Sequence, residues 1–248
     1  SKIKELRDKT GAGMMDCKNA LLENDGDLDN ATNWLRKKGI ANADKKSSRT
    51  ASEGLVGLKT NEKISVMIEI NTETDFVSKN EDFQEYVEKV LDICATKLFT
   101  KDELLIQKYD ANYNIAEALK NLIAKIGENI VIRRLVYLTN DEGQHTFGSY
   151  IHNKINNHLG KMSCVIKLKT LVPSEEVTSL ANKIAMHITA SKPLAINESE
   201  LSPDLISKEK EIFIAQLKES GKPDNIIEKI VDGKIKKYLS EVTLINQN

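Results

Sequence analysis

Cysteine occurs three times in the 248 residues, proline four times and tryptophan once. Cys17, Cys94 and Cys164 lie far apart, are odd in number and form no CxxC pair. That spacing encodes neither a disulfide framework nor a zinc knuckle, and it fits a reducing cytosol. Neither sign of charge is in excess: 36 Lys and Arg stand against 37 Asp and Glu, for a net charge of −1. The basic surplus of a nucleic-acid or anionic-membrane binder is missing, so proteins are the expected partners. No segment approaches the ~18 uncharged residues of a membrane span, and Ser1-Lys2-Ile3-Lys4-Glu5 has no apolar signal core. The expectation is a cytoplasmic chain with no membrane and no nucleic-acid partner.

Common catalytic signatures are also missing. There is no Walker loop, no GxGxxG after a strand, no HExxH and no GxSxG. His145, His152, His158 and His187 are the only histidines, and no Cys, Asp or Glu joins them at ligand spacing, although His152 and His158 could approach one another on a hairpin. No enzyme activity, no cofactor and no metal site are expected.

What is present is hydrophobic periodicity in blocks. Residues 2–38 read as three short helices broken at Thr10-Gly11-Ala12-Gly13 and at Asn24-Asp25-Gly26-Asp27, with Leu6, Cys17, Ala20, Leu21, Leu28, Ala31, Trp34 and Leu35 at three- and four-residue spacing. They suffice for a miniature core around the tryptophan. From Ala41 to Glu53 the chain turns polar, with only alanines between, and reads as a linker without stable helix. Gly54 to Lys59, a turn at Thr60-Asn61-Glu62-Lys63, and then Ile64, Val66, Ile68 and Ile70 at period two read as a β-hairpin. Two amphipathic helices follow, on Phe83, Val87, Val90, Leu91, Cys94 and Leu98, and on Ile115, Ala118, Leu119, Leu122, Ile123 and Ile126.

Strands are expected at Asn129–Leu138, Thr146–His152 and Lys161–Leu171, the first two joined in a hairpin by Asn140-Asp141-Glu142-Gly143. A helix from Ser174 to Ser191 would bury Val177, Leu180, Ala181, Ile184, Ala185 and Ile188. Two last helices, about 203–219 and 223–239, are separated by Ser220-Gly221-Lys222-Pro223, a joint short enough to force an antiparallel helical hairpin. The fold class is α+β, not a doubly wound parallel sheet.

Three segments are candidates for function. In Thr10-Gly11-Ala12-Gly13-Met14-Met15 the glycines serve a helix C-cap and turn, but two adjacent methionines cannot both face one small core. At least one belongs on the surface, where a flexible thioether suits an adaptable protein contact. Asn71 to Asn80 allows two readings. In one, Thr74 or Asp75 caps the next helix and Phe76 staples onto it; in the other, Asp75, Phe76 and Val77 stand in an exposed loop, an acid beside an aromatic suited to prising open a partner's site. Lys125-Ile126-Gly127-Glu128-Asn129 needs no more than a glycine C-cap.

Lys4-Glu5-Leu6-Arg7 leading into Thr10–Lys18, and Asn71 followed by Thr74-Asp75-Phe76-Val77, resemble the two signatures of elongation factor Ts of bacteria and organelles. Family-like stretches continue through Lys125–Ile130, Arg133-Arg134, Gly148-Ser149-Tyr150 before His152, Ala185–Pro193 and Ser220–Pro223. The resemblance implies a guanine nucleotide exchange factor in translation elongation that binds elongation factor Tu with GDP and promotes GDP release by disturbing the phosphate and magnesium site. It implies partner-binding roles for Arg7, Thr10, Gly11, Ala12, Gly13, Met14, Met15, Thr74, Asp75, Phe76, Val77, Ile126, Gly127 and His152.

For the fold it implies a ubiquitin-associated-like (UBA-like) three-helix bundle at 1–40 and a linker at 41–53. A two-part α+β core with antiparallel strands would span 54–139 and 140–195, followed by a helical-hairpin (coiled-coil) protrusion at 196–236 used for homodimerisation or partner contact. Residues 237–248 would return toward the core. Family members normally run on past this point, so a shortened chain is expected. Ser1 without a transit-like stretch favours a bacterial source. The rival readings are a ribosome- or RNA-associated module using Lys45, Lys46 and Arg49, and a small-molecule enzyme.

Overall fold

The computed structural model describes residues 1–140, 145–221 and 223–247. Its chain divides into two compact units, Ser1–Ala185 and Met186–Asn248. The first opens with α1 (Lys2–Thr10), α2 (Met14–Glu23) and α3 (Leu28–Lys46) around Leu6, Cys17, Ala20, Leu21, Ala31 and Leu35. Trp34 is not the centre of this core. It is partly buried at the rim, with Lys38 Nζ 4.9 Å from the ring centroid.

The stretch read as a linker is helical in its first half, because α3 continues to Lys46. Alanine is the strongest helix former, and packing on a later helix overrides the polar composition. Ala43 is buried in the main core, and a Cβ on Gly39 would lie 3.0 Å from the Ala124 Cβ of α6 (Ile115–Ile126). The Lys120–Asp44 ion pair at 3.0 Å joins the same two helices.

β1 (Glu53–Thr60) and β2 (Ile64–Thr72) form the expected hairpin, and β3 (Ile130–Thr139) pairs antiparallel with β2. Val66, Ile68, Ile70, Ile130 and Ile132 share the buried face, covered by Phe83, Tyr86, Val87, Val90 and Leu91 of α4 (Glu81–Cys94) and Leu122 and Ile123 of α6. Between these helices lies α5 (Lys101–Leu105), which periodicity did not indicate; its signal was the Thr100–Glu103 capping box.

The expected hairpin between the third and fourth strands does not form. Strand order is β3-β2-β1-β5-β4, which puts β3 and β4 (His145–Lys154) at opposite edges of one five-stranded sheet. β4 pairs with β5 (Leu159–Lys169) instead, across an Asn-rich turn in which Ile155 N–H donates to Leu159 O at 2.9 Å. Asp141, Glu142 and Gly143 of the proposed turn lie outside the described residues. β1 and β5 share only the pairs Val56–Gly160 and Gly57–Leu159. Beyond them β5 leaves β1, and the Ser163 hydroxyl lies 2.9 Å from the Met67 sulfur of β2.

α7 (Glu175–Ser191) begins on the first unit, with Val177 N–H donating to the Ser174 hydroxyl at 3.3 Å as a cap. It lies hard against β4. A Cβ on Gly148 would fall 2.3 Å from the Ala181 carbonyl carbon, so only glycine allows this approach. Asn182 Oδ1 accepts from Ser149 N–H at 2.8 Å. Ala181 and Ala185 are buried as expected, whereas Leu180 of the same stripe is exposed.

The second unit contains the helical hairpin α8 (Pro203–Glu219) and α9 (Asp224–Val242), whose joint includes Lys222, outside the described residues. Leu217, Ile227 and Val231 form its buried seam, supported by Phe213, Ile214, Ile230 and Ile235. After α9 the chain pairs with an earlier segment: Leu244 N–H donates to Ala195 O at 2.9 Å and Ile245 N–H to Ile196 O at 3.1 Å.

Candidate functional site

The three candidate segments meet at the C-terminal end of α6. That helix stops at Gly127, whose φ of +89° is left-handed and whose amide donates to Ile123 O at 2.9 Å. The reversal aims Glu128 back at the loop after β2. The Glu128 carboxylate accepts from Thr74 N–H at 2.9 Å and from the Thr74 hydroxyl at 2.6 Å. Glu73 answers from the other side by accepting from Asn129 N–H at 2.6 Å. The Asn129 side-chain amide donates to Arg49 O at 2.7 Å, and Arg49 stands 3.5 Å from Glu73.

This crosslinked loop displays Asp75 and Phe76. A 3₁₀ turn at Val77–Lys79 follows, with Ser78 N–H donating to Asp75 O and Lys79 N–H to Phe76 O, each at 3.1 Å. The cap of α4 is neither Thr74 nor Asp75. Asn80 fills that role, its side chain accepting from Phe83 N–H at 3.1 Å. Phe76 therefore has no helix to staple onto and is 76% exposed, with Asp75 also exposed. Val77 departs from the expected exposed pair: the 3₁₀ turn directs it inward, and it is 6% exposed in the main core.

The glycine turn between α1 and α2 comes to the same place. Gly11 caps α1 through its amide to Arg7 O at 2.7 Å, and a Cβ there would sit 3.0 Å from Lys125 Cε. Lys125 continues to Asp82 of α4 at 2.7 Å, so one lysine joins the turn to the start of that helix. Thr10 folds its hydroxyl back on Leu6 O at 2.6 Å, Ala12 is partly buried, and Gly13 is the N-cap of α2. Both methionines face outward, Met14 at 60% and Met15 at 67% exposure, and Arg7 is exposed.

Ile126 is half-buried against the main core and Gly127 is exposed. His152 stands apart on β4, where its Nδ1 lies 3.2 Å from the Tyr150 hydroxyl, and none of the bonds just described reaches it. His158 has a different neighbour, Glu88 at 3.9 Å.

Two groups of the main core titrate far from their ordinary range. Burial pushes the Cys94 thiol up to about 11 and the Tyr109 hydroxyl up to about 12, which holds both neutral and unreactive near pH 7. Among the described residues, no three His, Cys, Asp or Glu side chains converge to hold a metal, and no helix is long and apolar enough to cross a membrane.

The loop-to-loop bonds were not legible in the sequence. Thr74 and Glu128 are 54 positions apart and Asn129 and Arg49 are 80 apart, and nothing local in either segment names its partner. The one local signal was the pair of polar residues directly after the capping glycine, where a chain leaving a helix could equally have met solvent.

Fold and surface together define an α+β protein that holds exposed sulfur-containing and aromatic side chains on mutually braced loops. A family model described as Elongation factor TS matches residues 73–248. Elongation factor Ts of Rhizobium johnstonii is 45% identical over 246 residues, covering 99% of this chain and 79% of that protein. The proteins of the same name from Rhizobium meliloti and Sinorhizobium medicae are each 44% identical over 246 residues, covering 99% of this chain and 80% of theirs. The chain belongs to the elongation factor Ts family.

Proposed function

We propose that this chain is a guanine nucleotide exchange factor for elongation factor Tu, acting in the cytoplasm during translation elongation and catalysing no covalent step. The observation that carries the reading is Phe76, a large apolar side chain three-quarters exposed on a loop fixed at both ends by Glu128 and the 3₁₀ turn. A GTPase holds GDP through backbone amides, a lysine and a magnesium ion, so a small displacement weakens several interactions at once. An aromatic side chain inserted beside that magnesium site, with Asp75 reordering nearby polar groups, favours the distorted state. Ile126 and Gly127 flank the approach. Met14, Met15 and the α1–α2 turn of the bundle, read as ubiquitin-associated-like, dock on the nucleotide-binding domain.

The α8–α9 hairpin, with Ile212 and Ile226 exposed, fits a further contact with elongation factor Tu or with a second copy of this chain. His152 is assigned a contact on β4 separate from the loop cluster.

By linkage the factor and GDP weaken each other's binding to elongation factor Tu by the same factor. The test mixes this chain with elongation factor Tu loaded with a fluorescent GDP and follows release. Faster release, together with a binary complex that dissolves when excess GDP is added, supports the reading. Release at the intrinsic rate, or retention of RNA with no GTPase partner, would overturn it.

A further inference from the structure

We propose that Glu128 is a positioning residue for exchange, acting through the Asp75–Phe76 loop without touching the partner; this rests on the exchange reading above. The geometry is specific. Both Glu128 oxygens are engaged by one residue, Oε2 accepting from Thr74 N–H at 2.9 Å and Oε1 from the Thr74 hydroxyl at 2.6 Å. Thr72 closes the next bond, its hydroxyl donating to Thr74 O at 2.8 Å. Thr74 is thus held at its amide, hydroxyl and carbonyl, and on the other side Asn80 N–H donates to Val77 O at 2.9 Å to complete the 3₁₀ turn. Only Asp75 and Phe76 lie between the two fixed points, and they are the exposed residues.

Such fixing matters because a side chain that must insert in one pose loses rotational freedom on binding, and a loop already ordered loses less. Glu128 also belongs to the turn that carries Ile126 and Gly127. One carboxylate therefore ties the two parts of the surface together. The exchange of carboxylates is reciprocal, with Glu73 bound to the amide of Asn129 at 2.6 Å, so the two loops form one body. Hydrogen bonds to a charged acceptor are stronger than neutral ones, which suits this carboxylate to hold a loop that water would otherwise solvate.

The prediction separates positioning from docking. Because the methionine surface is untouched, Glu128→Ala should leave the factor concentration for half-maximal GDP release within about twofold while lowering the maximal release rate about tenfold, the loss of one charge-assisted contact's worth of ordering. Glu128→Gln should restore the rate to within about twofold, since its carbonyl can accept from the Thr74 amide while its NH₂ donates to the Thr74 oxygen. Adding Glu128→Ala to Phe76→Ala should slow release no further, because a loop without its aromatic has nothing left to position. Equal loss in Glu128→Ala and Glu128→Gln, or additivity with Phe76→Ala, would overturn the role.

Amide exchange of Thr74 in the isolated chain gives an independent readout. It should quicken about tenfold in Glu128→Ala and stay slow in Glu128→Gln. Should Phe76→Ala itself leave release unchanged, the exchange reading fails, and the clamp is then judged on this amide alone: unchanged Thr74 protection in Glu128→Ala overturns it. If Glu128→Ala does not fold, Thr74→Val removes the hydroxyl half of the clamp and is held to the same criteria.

Discussion

Replacing Phe76 with alanine should separate stability from function. In the free protein the ring is 76% exposed, so truncation forfeits little native burial and should change folding stability by no more than about 0.5 kcal/mol. For a chain of this size that is a melting shift of about 1–2 °C. The ring is a different matter in a complex. A phenylalanine buries on the order of 200 Å², and three-quarters of it remains available, so a fully enclosing pocket could gain about 150 Å² of apolar contact. At about 25 cal/mol per Å² the ceiling is about 4 kcal/mol.

Imperfect fit and the cost of fixing the ring bring a realistic value to about 2 kcal/mol, typical of an interface residue that dominates binding. With 1.4 kcal/mol per tenfold, GDP release should slow roughly thirtyfold. The assay is stopped-flow release of fluorescent GDP from elongation factor Tu over a series of factor concentrations, with circular dichroism and a thermal melt on the same preparation. Release within twofold of the parent from a folded variant would refute the wedge. A melting temperature lowered by more than about 5 °C would refute the premise that the ring is free in the unbound protein.

Three further outcomes are expected. Replacing Met14 and Met15 together with serine should weaken complex formation by about 1–2 kcal/mol in a titration while leaving the thermal melt within about 2 °C, since both side chains are more than half exposed; a cooperative loss of the bundle would show instead that they are core. Gly148→Ala should destabilise by at least about 2 kcal/mol in urea, because its Cβ would meet the Ala181 backbone at 2.3 Å and neither β4 nor α7 can yield by a side-chain rotation; a neutral effect would place α7 farther from the sheet. Asn80→Ala should cost about 1 kcal/mol in the same titration by removing the α4 cap, whereas Asp75→Ala should cost almost nothing, and the reverse order would return the cap to Asp75.

The capping question shows why local spacing fell short. Thr74, Asp75 and Asn80 are all good cap residues, and the choice among them depends on where the chain enters α4. The entry is set by Val77, which the core draws inward, so the cap falls to Asn80 and Phe76 is left outside. Helix α3 is a similar case. Its last turns are polar and looked too weak to form, yet Ala43 and the Lys120–Asp44 pair hold them on α6. The hairpin of β3 with β4 failed because a turn signal names a reversal without naming what pairs. β3 completes the apolar face begun by β2, and the Asn-rich turn after β4 delivers β5 as its neighbour.

Taken alone, the sequence determined the α+β class, most of the element types, the β1–β2 hairpin and the family, because periodicity, capping residues and short motifs act within a few residues of chain. It also placed at least one methionine outside, on the volume of the small bundle core. The tertiary structure decided the strand order, the inward turn of Val77 and the braced geometry of the Asp75–Phe76 loop. Those depend on bonds such as Glu128 to Thr74, between residues 54 positions apart, which meet because β2 and β3 pair with Thr72 opposite Ile130.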